Sequence, residues 1–305
     1  MKLLYLLESI RMPGLNELML AVTQLGEETA FLVAALIVFW CVDKNKGYFV
    51  MTVGFFGTIA NQFLKLLCRI PRPWVLDPNF TILEQAREAA TGFSFPSGHS
   101  TSAVGTFGAI AAGSENRWVK RVCITVCILV PLSRMYVGVH TPYDVLAGAA
   151  TALMLIFLLR KMPRGVQPGR MWAYLGVMLV MAAGLLVFTQ QYPFAIAEDQ
   201  LHNLESGQKN AYTMLGCILG LMVGYPLERR FVNFSTKAVW WAQILKVVLG
   251  LAVVLAVKSG LKAPLDALFV GHMAARAARY ALIVIVAGCV WPMSFKWFDK
   301  LGAKK

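Results

Sequence analysis

Residues 47–64 read GYFVMTVGFFGTIANQFL, a run without a single charge, bounded by Lys44 and Lys46 on one side and Lys65 on the other. As a helix at about 1.5 Å per residue it spans about 27 Å, close to the ~30 Å hydrocarbon core of a bilayer. Uncharged or nearly uncharged runs recur at 29–42, 100–114, 122–133, 145–159, 171–189, 210–226, 239–257 and 280–295. Several are short of the roughly 20 residues of a spanning helix, but each can extend into its flanks. The run at 29–42 is the weakest candidate, since its length also suits a re-entrant piece. The expected fold class is therefore an all-α integral membrane protein, a helical bundle of about eight to nine transmembrane helices. Composition agrees: the 305 residues are 58% hydrophobic and 15% charged, and the mean hydropathy is +0.61. An ordinary soluble protein is excluded, because soluble chains carry about 25% charged residues.

The formal net charge of +13 invites a polyanionic partner. Placing alternate connections on opposite sides of a membrane removes that reading. One side collects Lys44, Lys46, Arg117, Lys120, Arg121, Arg160, Lys161, Arg164, Arg170, Arg229, Arg230, Lys237, Lys296, Lys300, Lys304 and Lys305, which is 16 of the 29 basic residues. The positive-inside rule makes this side cytoplasmic, with the C-terminus on it. The charge is an orientation signal, and no nucleic-acid partner is expected. The expected location is a multi-pass protein of the plasma (cytoplasmic) membrane. Lys246, about two turns from the cytoplasmic end of its run, is expected to snorkel to the interface.

Residues 1–26 carry Leu15, Leu18, Met19, Val22 and Leu25 at helical spacing around Glu17 and Gln24, the pattern of an amphipathic helix lying on the outer surface. Residues 27–160 hold the polar motifs described next, and 171–305 add further spans of unknown role. The N-terminus shows no cleavable signal peptide. The six cysteines lie mostly in apolar runs without metal-site spacing and read as packing thiols.

Three polar clusters break the apolar pattern, all on the non-cytoplasmic side. The first is Lys65-Leu-Leu-Cys-Arg69-Ile-Pro-Arg72-Pro73, whose cations are spaced to share a helix face until the prolines end it. The second is Phe95-Pro96-Ser97-Gly98-His99, a helix start whose free N–H groups suit an anion. The third is Ser133-Arg134-Met-Tyr-Val-Gly-Val-His140-Thr-Pro-Tyr-Asp144, where Pro142 opens a helix and Asp144 lies one turn in, able to fix the tautomer of His140. Each alone has a bland reading as a headgroup anchor, a turn or a structural hydrogen bond. Together they place cations, two histidines, a carboxylate and a helix start on one side of a membrane domain, where ionisable groups are costly. A shared anionic substrate accounts for all of them. A phosphate monoester needs cations on its oxygens, a nucleophile and a proton donor. Lys65, Arg72 and Arg134, with Ser97 and Gly98, suit the oxygens; His140, backed by Asp144, suits attack on phosphorus; His99 suits protonation of the leaving alcohol.

Lys65-x6-Arg72-Pro73, Pro96-Ser97-Gly98-His99 and Ser133-Arg134-x5-His140-x3-Asp144 together resemble the three-part signature of the type 2 phosphatidic acid phosphatase superfamily, which also includes soluble acid phosphatases and vanadium haloperoxidases. The resemblance is strong over 47–160 and looser from 171 onward, where it is to multi-span members such as sphingosine-1-phosphate phosphatases. It implies hydrolysis of a lipid phosphate or pyrophosphate through a phosphohistidine on His140, oriented by Asp144, with His99 as general acid. Lys65, Arg72, Ser97, Gly98 and Arg134 take the phosphate-binding positions. No metal and no cofactor are implied. Arg69 is outside the signature. The expected partners are a lipid phosphate substrate and membrane lipids. Two other functions remain open on the residues: a lipid phosphotransferase, in which a lipid takes the place of water, and a transporter or flippase of an anionic lipid. Outside the signature, His202 with Asp199 and Glu205 reads as a solvated acidic loop before it reads as a metal site.

Overall fold

The computed structural model describes residues 1–191 and 201–301, and among these every regular element is helical. The chain divides into two compact units. One comprises Met1–Ala34, Phe49–Pro163 and Pro193–Gly207; the other comprises Ala35–Tyr48, Arg164–Tyr192 and Gln208–Lys305.

The first unit holds α1 (Lys2–Ser9), α2 (Pro13–Gln24), the start of α3 (Glu28–Ile37), most of α4 (Lys44–Cys68), the short α5 (Pro73–Leu76), α6 (Gly98–Gly113), α7 (Arg117–Tyr136) and α8 (Pro142–Leu159). Its centre is α6, packed against both α7 and α8. Each of these three helices starts on a side-chain cap: Ser97 for α6, Asn116 for α7 and Thr141 for α8, so orphan N–H groups are met at the turn where each chain enters the bundle. The N-terminal segment is two helices, and part of its apolar face packs on protein. Leu4 joins Phe80, Ile82, Met135 and Val145 in one cluster. Leu15, Met19 and Leu20 lie against Tyr136, Val137 and Val139 in another, whereas Leu18 faces outward.

The second unit holds α9 (Pro168–Gln191), most of α10 (Leu201–Leu227), α11 (Trp240–Gly260), α12 (Lys262–Leu268), α13 (Ala274–Ile285) and α14 (Phe295–Phe298). Gly216 and Gly220 let α10 and α13 touch backbone to backbone: a Cβ at these positions would lie 2.1 Å from the Ala277 carbonyl oxygen and 2.6 Å from that of Ala281. This is the small-residue packing by which helices associate without a hydrophobic driving force. Lys44 pairs at 2.9 Å with Glu228, whose side chain is fully buried. Lys246 does not snorkel. It is fully buried with its Nζ 4.4 Å from the Phe295 ring centroid, because an aromatic face at that depth offers the ammonium a closer electrostatic partner than the interface does.

Among the described residues six helices are long and apolar enough to cross a membrane, or seven if the pair Pro13–Gln24 and Glu28–Val42, bent by 56°, counts as one span. Eight to nine were expected. The difference falls on α6 and α7. α6 has 16 residues, about 24 Å of helix, and α7 carries Arg117, Lys120, Arg121 and Arg134 within its 20 residues.

Candidate active site

In the first unit the end of α4, the start of α6, the end of α7 and the start of α8 meet around His140. The capping box of α8 builds the centre: Thr141 Oγ1 accepts from the Asp144 N–H at 3.3 Å, and Asp144 Oδ2 accepts from the Thr141 N–H at 2.7 Å. The same Oδ2 accepts from Ser94 Oγ at 2.6 Å and lies 3.4 Å from His140 Nδ1. Asp144 is thus held from three directions, and the imidazole presents Nδ1 to it. The other ring nitrogen, Nε2, is 2.9 Å from Arg72 Nη1. A guanidinium can only donate, so Nε2 carries the lone pair and Nδ1 the proton. His140 is buried. Burial, followed by the charges of Arg72, Arg134 and Lys65, holds its imidazole well below the ordinary histidine range, which keeps it neutral and nucleophilic at pH 7.

Three buried cations surround it. Arg72 is fixed by Gly92, Thr91 and Val139 carbonyls at 3.1, 2.7 and 3.0 Å. Lys65 donates to the Phe93 carbonyl. Arg134, fully buried, donates from Nη1 to Thr23 Oγ1 at 2.7 Å, while its Nε and Nη2 have no hydrogen-bond partner among the described residues. Buried guanidinium N–H groups without acceptors are costly and rare in native structures; two on one side chain mark a place shaped for an anion. A cleft of about 330 Å³ opens beside Arg72, lined among others by Trp74, Arg87, Thr91 and His202.

At the start of α6, Ser97 Oγ accepts from the Ser100 N–H at 3.3 Å and from Ser100 Oγ at 3.0 Å, leaving its own hydroxyl proton to donate. The Ser97 N–H is used by the Asp144 carbonyl at 2.9 Å. Gly148 permits the contact between α8 and this turn, since a Cβ there would lie 2.6 Å from the Ser97 carbonyl oxygen. Gly148→Ala is expected to destabilise by about 1–3 kcal/mol through overpacking against backbone and to lower turnover, measured by thermal melting in detergent beside an activity assay.

All eight residues expected at the site belong to this one unit. The contacts above join Arg72, His140, Asp144 and Ser97, while Lys65 is held by Phe93, Arg134 by Thr23 and His99 by Glu27, 3.0 Å from its Nε2. Arg69 departs from expectation. α4 ends at Cys68, Arg69 adopts φ 51° and is exposed, because Pro71 disfavours helical conformation just before it. Arg72 therefore reaches the site from an extended connection and not from a shared helix face. Sequence reasoning missed Thr23, Glu27, Ser94 and Asn61, whose Nδ2 donates to the Pro96 carbonyl at 3.2 Å and to Thr101 Oγ1 at 3.1 Å. Asn61 alone gave a signal, as an amide inside an apolar run. Glu198 and Asp199 lie outside the described residues.

Residues 45–167 match the PAP2 superfamily, and residues 212–305 match the transmembrane extension of PAP2 superfamily phosphatases. Phosphatidylglycerophosphatase B of Bacillus subtilis is 31% identical over 166 residues, 50% of this chain and 76% of that protein. An undecaprenyl-diphosphatase of Bacillus subtilis is 33% identical over 105 residues, 34% of this chain and 51% of that protein. One from Sulfolobus acidocaldarius is 27% identical over 146 residues, 47% of this chain and 68% of that protein. No solved structure matches. The matched region encloses every residue of the cage around His140, and the chain, an integral multi-pass membrane protein, belongs to the PAP2 superfamily.

Proposed function

We propose that this protein is a membrane-embedded phosphatase that hydrolyses a lipid phosphate or lipid diphosphate through a phosphohistidine on His140. The observation that carries the reading is the pair of unpartnered, buried N–H groups of Arg134 in a cage with Arg72, Lys65 and a neutral His140. The PAP2 relatives, named as phosphatases of a glycerophospholipid phosphate and of a prenyl diphosphate, support the substrate class.

In the first step His140 Nε2 attacks phosphorus, the bond from phosphorus to the lipid oxygen breaks, and His99 gives its proton to that oxygen. Arg134 and Arg72 take non-bridging oxygens as planar forks and Lys65 as a point charge, where negative charge is densest in the transition state. As Nδ1 becomes part of an imidazolium, Asp144 stabilises it. In the second step water attacks the phosphohistidine, neutral His99 takes the proton of that water, and the P–N bond breaks to release phosphate. No metal enters either step; the three cations supply the charge.

The site faces the non-cytoplasmic side, a reading supported by Arg117, Lys120, Arg121, Arg160 and Lys161 at the opposite ends of α7 and α8. Tyr143 and Leu146, beside Asp144 on α8, are largely exposed, offering apolar surface by which a lipid chain stays in the bilayer while its phosphate enters. Purified protein is expected to release inorganic phosphate from lipid mono- or diphosphates in the presence of EDTA. Acid quenching would lose, and alkaline quenching retain, a phosphate mapped by mass spectrometry to His140. Loss of activity with chelator, a phosphate on another residue, or a phosphorylated lipid acceptor in place of free phosphate would each overturn part of this reading.

A further inference from the structure

The general acid needs a proton, and its surroundings oppose one. His99 sits among Arg134 from α7, Arg72 from the connection after α4, and His140 before α8; an imidazolium placed with like charges in a buried site is disfavoured. The structure supplies one compensating group from the N-terminal segment. Glu27, in the turn between α2 and α3, has Oε1 3.0 Å from His99 Nε2. The turn is held against His99 by contact as well as by charge. A Cβ on Gly26 would lie 2.9 Å from His99 Cβ, 3.0 Å from its carbonyl oxygen and 3.0 Å from Val130 Cγ1. One helical turn earlier, Thr23 receives the Arg134 Nη1 proton at 2.7 Å. Two consecutive turns of the N-terminal segment thus each hold one member of the cage.

We propose that Glu27 is the positioning residue of the general acid: its carboxylate accepts the Nε2–H of the His99 imidazolium and leaves Nδ1–H as the proton delivered to the departing oxygen. This rests on the assignment of His99 as acid. Glu27 touches neither substrate nor phosphorus and acts only through His99. Its carboxylate is ionised in both steps, so the proton cycles between His99, the leaving oxygen and water while Glu27 stays charged.

A leaving group that is stable as an anion has little need of an acid, and this separates the role from a structural one. The test compares dodecyl phosphate with a nitrophenyl phosphate bearing the same dodecyl chain, in detergent, on the full-length protein. Glu27→Gln is expected to lower kcat on dodecyl phosphate by about 10²-fold, within the usual range for general acid catalysis, and kcat on the nitrophenyl ester by no more than about 3-fold, the acid contribution being small there. The alkaline limb of kcat on dodecyl phosphate moves to lower pH, because the imidazolium has lost its counter-charge. Glu27→Asp restores part of both. Equal losses on the two substrates with an unmoved limb would overturn the proposal. His99→Ala is run beside it: if His99→Ala also loses both substrates equally, the acid assignment itself fails, whereas if only His99→Ala is leaving-group selective, Glu27 alone is misassigned. Should Glu27→Gln not fold, Glu27→Asp decides by the same ratio.

Discussion

Replacing His140 with alanine is expected to reduce lipid-phosphate hydrolysis by on the order of 10⁴-fold or more, the scale seen when a covalent nucleophile is removed. His140 Nε2, 2.9 Å from Arg72 with Nδ1 turned to Asp144, is the nitrogen on which the proposed phosphorylated intermediate forms, and alanine removes it. Asp144→Asn should cost less, because an orienting partner can be lost while Nε2 remains. His140→Ala retaining most of its turnover would sink the covalent mechanism; Asp144→Asn retaining it would sink the orienting role of Asp144. The same histidine leaves a mark on stability. Its imidazole is held below the ordinary range in the folded protein, by burial first and then by Arg72, so above about pH 6.5, the unperturbed value, both folded and unfolded chains carry it neutral. As pH falls below that, the unfolded chain binds the proton first and stability declines. His140→Ala should flatten this decline, seen as a smaller difference between melting temperatures at pH 7.5 and pH 5.5 than in the native protein.

Arg134→Met should separate activity from stability in opposite directions. Loss of the fork that faces the phosphate is expected to lower kcat/KM by about 10²–10³-fold, the effect of removing a transition-state donor. Yet the arginine is fully buried with Nε and Nη2 unpartnered, and replacing a buried charge by an apolar side chain of similar volume is stabilising by about 1–4 kcal/mol in favourable cases. The variant should therefore melt higher while working worse. Phosphate or vanadate, by binding only the folded state, should raise the melting temperature of the native protein and leave that of Arg134→Met almost unchanged. A variant that melts lower, or that still responds fully to the anion, would show that Arg134 is structural.

The local geometry of this candidate site was legible in the sequence wherever it depends on residue type at short spacing. His140, Thr141 and Asp144 form one helix start, and Ser97 to His99 another, so each motif declares its own local geometry. What supports the motifs was hidden because it comes from far along the chain: Thr23 meets Arg134 across 111 residues, Glu27 meets His99 across 72, and Ser94 meets Asp144 across 50. Nothing in a threonine at the end of one helix or a glutamate in a turn announces such a partner. Amphipathic spacing in the first 26 residues pointed to a lipid surface, and the structure places Leu15 and Met19 against Tyr136, Val137 and Val139. Periodicity reports that a face is apolar; it does not say what covers it. The expected eight to nine spans and the six or seven long apolar helices differ for a related reason, since α7 combines four basic residues with an apolar middle and its 122–133 run, read alone, hides the charges at both ends.

The carboxylate of Asp144 closes the first turn of α8 through the Thr141 N–H and faces His140 Nδ1 with the same oxygen. In the proposed mechanism, helix initiation and nucleophile orientation are consequently a single event. A chain in which α8 has not begun, whether newly inserted or thermally frayed, has a histidine with no counter-charge and is catalytically silent. Turnover thus reports, molecule by molecule, that this helix has started, and destabilising substitutions far from the site should lower the number of active molecules without altering the rate at which each one works.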